Sequence, residues 1–164
     1  MILFGFDFRQ HIDSLLYISD IVEKEKPETI IEFGTGDGFL ALLLSVINIE
    51  LYTFDIKKPK ITIPGFQQKD ILDNHGYIGN IIITSGKCLI LCDNGNKIDE
   101  FAIFSQYAKS GDVIMVHDYF EKKSDMIIDN AWRTCEVIQN DLDLAQFNVV
   151  YQKPYIGWGV FKKI

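Results

Sequence analysis

The stretch Thr29-Ile30-Ile31-Glu32-Phe33-Gly34-Thr35-Gly36-Asp37-Gly38 constrains the fold more than any other part of the chain. Strand-forming residues run straight into glycines at alternate positions, and a helical pattern through Leu40, Leu43, Leu44 and Ile47 follows. A strand that turns this quickly into a helix is the first half of a βα unit. Glycine adopts backbone angles closed to other residues and lets a ligand lie against the main chain. The spacing is Gly-x-Gly-x-Gly. The dinucleotide fingerprint sets its third glycine one place later, and residue 39 is Phe. The Gly-Lys-Ser/Thr ending of a phosphate loop is absent.

The rest of the chain repeats the alternation, which predicts an α/β protein with a mainly parallel sheet. A first helix capped by Asp13, with Leu15, Leu16 and Val22 on one face, stops near Pro27. Further strands are expected at Leu51–Asp55, at the segment GFQQKD ending at Asp70, at Cys88–Asp93 and at Val113–Asp118. The runs CLILCD and VIMVHD are continuously apolar before their terminal acids, as in strands buried on both faces. Helices are expected with Ile98, Phe101, Ala102, Phe104 and Tyr107, and from about Ser124 with Ile127, Ile128, Ala131, Cys135 and Ile138. FNVVYQ and GWGVFKK close the chain, and the short link through Pro154 lets them pair antiparallel. The 164 residues fit one domain, with 1–28 an arm and helix and 29–164 the sheet core.

Acidic residues narrow the ligand. Asp55 ends the second strand about 20 residues after the glycines, where a carboxylate can accept from both hydroxyls of a ribose. Glu32 stands just before the glycines and can meet an ammonium group. A ligand with a ribose and an amino-acid head but no phosphate satisfies both acids, and S-adenosylmethionine has that composition. The plainer reading is a tight strand–helix turn with acids nearby by chance.

These residues together resemble the class I S-adenosylmethionine-dependent methyltransferases. The resemblance runs from Thr29 to Ile164 on EFGTGDG, YTFD, QKD and LILCD. It implies a Rossmann-like three-layer sandwich whose seven-stranded, mostly parallel sheet has an antiparallel last strand. It further implies that Gly34, Gly36 and Gly38, with Thr35 between them, line the methionine moiety, that Asp55 holds the ribose, and that Asp70 meets the adenine amino group. Asp70 also reads as a helix N-cap before Ile71.

Asp93 and Asp118 fall at the carboxyl ends of two strands, the edge where open α/β sheets bind ligands. Two carboxylates there suit Mg²⁺ or Ca²⁺, which prefer oxygen ligands and can lower the pKa of a bound hydroxyl. The stretch from Asp93 to Tyr119 resembles the branch containing small-molecule O-methyltransferases and cephalosporin-hydroxylase-like proteins. His117-Asp118-Tyr119 matches its His-Asp-Tyr motif. Its Asp-Gly-x-His motif is altered, with Asn96 at the histidine position. Asp93, Asp118 and Asn96 are the candidate metal ligands. Asp93, His117 and Lys97 are the candidate catalytic residues, His117 as a general base because imidazole titrates near neutrality. Asn96 can ligate but cannot act as a base. Tyr119 and Phe120 follow the motif and are candidates for the substrate pocket, whereas Trp132 and Trp158 read as packing residues.

Composition bounds the partners. Sixteen basic and 23 acidic residues leave a net charge of −7, and no Lys/Arg-rich run is visible, so nucleic acid is not an expected partner. Cys88, Cys92 and Cys135 form no even disulfide set, and the opening MILFGFDFRQ lacks a basic leader. These features predict a cytoplasmic protein with no membrane partner. No segment is long enough for a separate lid. The loops at 57–65 and 119–124, the arm with Phe4, Phe6 and Phe8, or a second copy of the chain would then shape the pocket for a small-molecule acceptor. Two other readings stay open: a nucleoside-binding module without transfer chemistry, and a nicotinamide-dependent oxidoreductase, which the glycine spacing disfavours.

Overall fold

A computed structural model describes residues 2–3, 6–7, 12–120, 137–138, 141–153 and 157–164, with side chains at 13–119, 141–150 and 157–164. In chain order the elements are β1 (Ile2–Leu3), β2 (Phe6–Asp7), α1 (Ile12–Glu25), β3 (Thr29–Phe33), α2 (Phe39–Ser45), β4 (Glu50–Asp55), β5 (Phe66–Gln68) and α3 (His75–Thr84). There follow β6 (Cys88–Cys92), α4 (Lys97–Phe104), β7 (Val113–His117), β8 (Tyr119–Phe120), β9 (Val137–Ile138), β10 (Phe147–Lys153) and β11 (Trp158–Lys163).

Seven strands form one sheet in the order β10-β11-β7-β6-β3-β4-β5. The β3/β4, β3/β6, β4/β5 and β6/β7 pairs are parallel, and β11 runs antiparallel to both β7 and β10. The expected antiparallel closing pair is therefore present. β3 and β6 are buried along their whole length, which explains their unbroken apolar runs. One face of the sheet packs Tyr17, Ile18 and Ile21 of α1 and Leu40, Ala41 and Leu44 of α2. The other packs Ile78 and Ile82 of α3 and Phe101 and Phe104 of α4. This gives helices on both sides of a mixed sheet, a Rossmann-like α/β fold.

Topology places the site. From β3 the chain crosses through α2 to β4 and β5 on one side, and then through α3 to β6 on the other side of β3. The order reverses between β3 and β6, and the crevice outside their carboxyl ends is where such sheets bind ligands.

Several elements differ from the sequence expectation. α1 turns Ser14, Tyr17, Ile18 and Ile21 inward, while Leu16 is 69% exposed. Positions 14, 17, 18 and 21 share one helical stripe, and Leu16 projects well off it. Asp13 lies within the first turn rather than before it. Apart from the N-cap reading of Asp70, nothing local pointed to α3, because two glycines and the run Ile81-Ile82-Ile83 argue against a helix by propensity. Tertiary packing decides: a Cβ on Gly79 would sit 2.4 Å from the Tyr107 ring, so glycine lets α3 lie close to the segment after α4. Ile138, expected on the helix from Ser124, instead lies in β9, paired in parallel with Phe120 of β8. The rest of that expected helix, with Trp132 and Cys135, and the Phe4, Phe8, His11 and Pro154 positions lie outside the described residues. So do the side chains of Phe6 and Phe120. Cys88 and Cys92 are free, buried thiols on the α3/α4 face, and burial pushes the Cys88 thiol up to about 11. Among the described residues no helix is long and apolar enough to cross a membrane.

Candidate active site

The turn after β3 is shaped by left-handed glycines. Gly34, Gly36 and Gly38 have φ of +92°, +55° and +96°. Gly34 is pressed against the end of β6: a Cβ there would lie 2.5 Å from the carbonyl oxygen of Asp93. Gly36 is the opposite case, since a Cβ there would meet nothing within 4 Å. The two glycines therefore do different work, one closing the switch point and one facing open space.

Asp55, at the end of β4, reaches this open edge. Its Oδ2 accepts from the Gly36 N–H at 2.9 Å and its Oδ1 from the Lys57 N–H at 2.8 Å. Each carboxylate oxygen has a second lone pair, so hydroxyl donors can still be accepted. The loop 57–65 folds back on the turn. Pro59, Ile61 and Ile63 pack around Gly38, and Lys60 pairs with Asp37 at 2.6 Å.

Glu32 is 1% exposed and lies opposite Thr53 in the β3/β4 register. Thr53 donates a short hydrogen bond to Glu32 Oε2, and the Thr53 and Thr35 hydroxyls are 2.6 Å apart. Glu32 Oε1 has no hydrogen-bond partner among the described residues. Burial pushes the Glu32 carboxyl up to about 8 against the opposing Thr53 hydrogen bond, and the charges of Asp93 and Asp55 add to the rise. The folded chain thus holds a proton that the unfolded chain releases from about pH 4.5 upward. Stability from this group is present below that value and falls as pH rises toward about 8. Thermal melts of wild type and Glu32→Gln across this window should diverge, the variant losing less stability with rising pH. Parallel curves would show that Glu32 ionises alike in both states.

The third part of the site gathers the ends of β6, β7 and α4. His117 Nδ1 lies 2.7 Å from Asp93 Oδ1 and 3.7 Å from Asp118 Oδ1. Burial opposes a proton on His117, but the Asp93 carboxylate and the Asp118 charge outweigh it and raise its pKa. The ring of Trp158, from the antiparallel neighbour β11, packs 4.6 Å from the imidazole. Lys97 Nζ lies 3.1 Å from Asp118 Oδ2, on a side chain only 6% exposed. Burial lowers its pKa, yet Asp118 and Asp93 raise it further, so Lys97 is charged at neutral pH. Asp118 sits at φ +55°, a backbone region where Asp is tolerated better than most residues.

Two expected residues have other duties in this geometry. Asn96 is the N-cap of α4: its Oδ1 accepts from the Asp99 N–H at 3.3 Å and its Nδ2 donates to Asp99 Oδ2 at 2.5 Å. Asp70 caps the turn before α3, its Oδ1 accepting from the Leu72 N–H at 2.9 Å. Among the described residues no group of three His, Cys, Asp or Glu is arranged to hold a metal ion. Asp93 is bonded to His117, Asp118 to Lys97 and Asn96 to Asp99, so the three do not fit a divalent ion as they stand. Sequence reasoning missed Glu100 and Thr53. Glu100 is 1% exposed and accepts from the backbone N–H groups of Asn94 and Asn96, fixing the turn that carries Asp93. Burial pushes its carboxyl up to about 7. Its signal was present: 97, 100, 101 and 104 form one helical stripe, and all four are buried.

Comparison with known proteins agrees with this geometry at the level of fold. No family model matches the chain, and no curated protein is significantly similar in sequence. Solved structures do match. A candidate caffeoyl-CoA O-methyltransferase from Staphylococcus aureus superposes with a TM-score of 0.69 at 11% identity, covering 96% of this chain and 86% of that one. The SAH-bound methyltransferase PaMTH1 of Podospora anserina gives 0.61 at 14%, covering 92% and 78%. CmcI-N160 with SAH gives 0.60 at 14%, covering 99% and 81%. Other matched chains are longer, and this chain spans 60% of the MtNAS chain. The chain shares the fold of these solved structures.

Proposed function

We propose that this chain is an S-adenosylmethionine-dependent methyltransferase acting on an oxygen of a small molecule. The observation that carries the reading is the open space beside Gly36, bordered by the Asp55 carboxylate at the switch point of the sheet. The residues present suit the cofactor. The main chain of Gly34, Thr35, Gly36 and Gly38 would flank its methionine part, Asp55 would accept from the ribose, and the unpartnered Oε1 of Glu32 would meet the ammonium. Asp70, already capping a turn, would face the adenine end. When bound, the cofactor supplies an electrophilic methyl group on a sulfonium.

The chain itself must position the acceptor and take its proton. Asp93 holds His117 through Nδ1, which leaves Nε2 of the neutral imidazole as the base. Nε2 would take the proton that an acceptor hydroxyl gives up on methylation. Tyr119, expected in the substrate pocket, is instead buried in the core, its ring edge-on to Phe161.

Calorimetry with S-adenosylhomocysteine tests the cofactor. Micromolar binding is expected, and Asp55→Ala should weaken it by about 1–3 kcal/mol, the cost of unpaired hydroxyls. Equal affinity in wild type and Asp55→Ala would remove the ribose assignment. Transfer of labelled methyl to a panel of hydroxylated small molecules tests the reaction. Binding without turnover across the panel would favour the second reading, a nucleoside-binding module, to which the use of Asn96 as a helix cap lends weight.

A further inference from the structure

Asp93, Asp118 and Glu100 meet two basic side chains, His117 and Lys97, at the carboxyl edge of β6 and β7. We propose that the Lys97 ammonium is the resident cation of this edge, standing where the strand-end aspartates would otherwise gather a divalent ion and keeping the site free of metal. The inference deepens the methyltransferase reading, and rests on it for the acceptor being seated beside these residues.

Geometry supports it in three ways. Lys97 starts α4 on the buried stripe with Glu100, Phe101 and Phe104, so its stem is held in the core and its head emerges 3.1 Å from Asp118 Oδ2. Removing the ammonium would leave Asp118, a part-exposed carboxylate, without its ion pair and free for another cation. Part of the oxygen set a metal needs is also engaged. Mg²⁺ and Ca²⁺ take six or more oxygen ligands. Here Asp93 Oδ1 is 2.7 Å from His117 Nδ1, Asn96 Oδ1 accepts from the Asp99 N–H, and Glu100 accepts from two backbone N–H groups. Lastly, a divalent ion bridging Asp93 and Asp118 would lie within a few ångströms of a fixed positive charge that has little water to screen it.

The proposal assigns Lys97 a task beyond helix formation. A tethered ammonium supplies positive charge toward an acceptor oxygen as it loses its proton, without the exchange kinetics or availability of a metal.

The test uses Mn²⁺ as the probe, followed by electron paramagnetic resonance in the full chain, and reads only the component of binding that Asp118→Asn abolishes. Wild type should show no such component tighter than about 1 mM. Lys97→Ala should create one at least roughly tenfold tighter, because the repelling charge is gone and the carboxylates are released. If Lys97→Ala does not fold, Lys97→Gln, which keeps most of the stem without the charge, carries the same arm. An Asp118-dependent Mn²⁺ site in wild type would overturn the proposal, and so would its failure to appear in the folded neutral variant. S-adenosylhomocysteine binding, measured on the same samples, separates this outcome from failure of the methyltransferase reading: loss of the nucleoside in wild type sinks that reading alone.

Discussion

Gly36→Val is expected to abolish S-adenosylhomocysteine binding in a chain that still folds. A Cβ at position 36 meets nothing within 4 Å, so a short side chain starts in open space. The cost to the fold is the backbone angle alone, φ +55°, which for a non-glycine residue is about 1–3 kcal/mol. The same side chain projects into the open space beside Asp55, where a ligand would need to lie against the main chain. Affinity should fall by more than about a hundredfold, close to 3 kcal/mol. Calorimetry for binding and thermal melting for folding separate the two effects. A folded Gly36→Val protein with wild-type affinity would show that no ligand uses the first βα turn.

Two residues earlier, the same kind of change should fail for the opposite reason. Gly34→Ala is expected to destabilise the fold by about 3–5 kcal/mol, the range of exceptional single substitutions. Its φ of +92° is outside the range an L side chain adopts easily, and its Cβ would sit 2.5 Å from the Asp93 oxygen and 2.8 Å from the Asp93 carbonyl carbon. Both obstacles are backbone, at the end of a strand buried on both faces, and cannot rotate away. Urea denaturation measures the loss. Gly76→Ala, at a helical glycine whose Cβ meets nothing within 4 Å, is the control and should be neutral or gain up to about 1 kcal/mol. A loss under about 1 kcal/mol at Gly34 would mean that the contact between the β3 and β6 turns can relax freely.

The strand–glycine–helix unit, the buried parallel strands and the antiparallel closing pair were legible because each leaves a local mark. Continuous apolar runs mark strands covered on both faces, and glycines mark backbone angles closed to other residues. α3 was not legible. Its glycines and isoleucines argue locally against a helix, and only the approach of Gly79 to Tyr107 shows why they stand there. The same limit applied to α1, whose inward stripe includes Ser14 and leaves Leu16 outside.

At the site, sequence singled out the residue types and the edge but not their partners. Asp93, His117, Lys97 and Asp118 were candidates by motif and position. That His117 bonds Asp93, and that Lys97 pairs with Asp118, follows from how β6, β7 and α4 converge. Asn96 and Asp70 show the same division. Each could serve a ligand or a backbone turn, and in the structure Asn96 caps α4 while Asp70 accepts from the Leu72 N–H in the turn before α3.

The amino-acid order by itself determined an α/β chain with a glycine-lined first crossover, an acid at the end of the next strand, and acids at the ends of two more. Those properties depend on neighbours within a few residues, which share steric and hydrogen-bonding constraints along the chain. Tertiary structure alone decided which charges neutralise one another, that Glu32 is buried with one oxygen lacking a partner among the described residues, and that Gly34 closes the switch point while Gly36 faces open space. The physical reason is that ion pairing, desolvation and steric closure depend on distances between segments far apart in the chain, and the sheet order sets those distances.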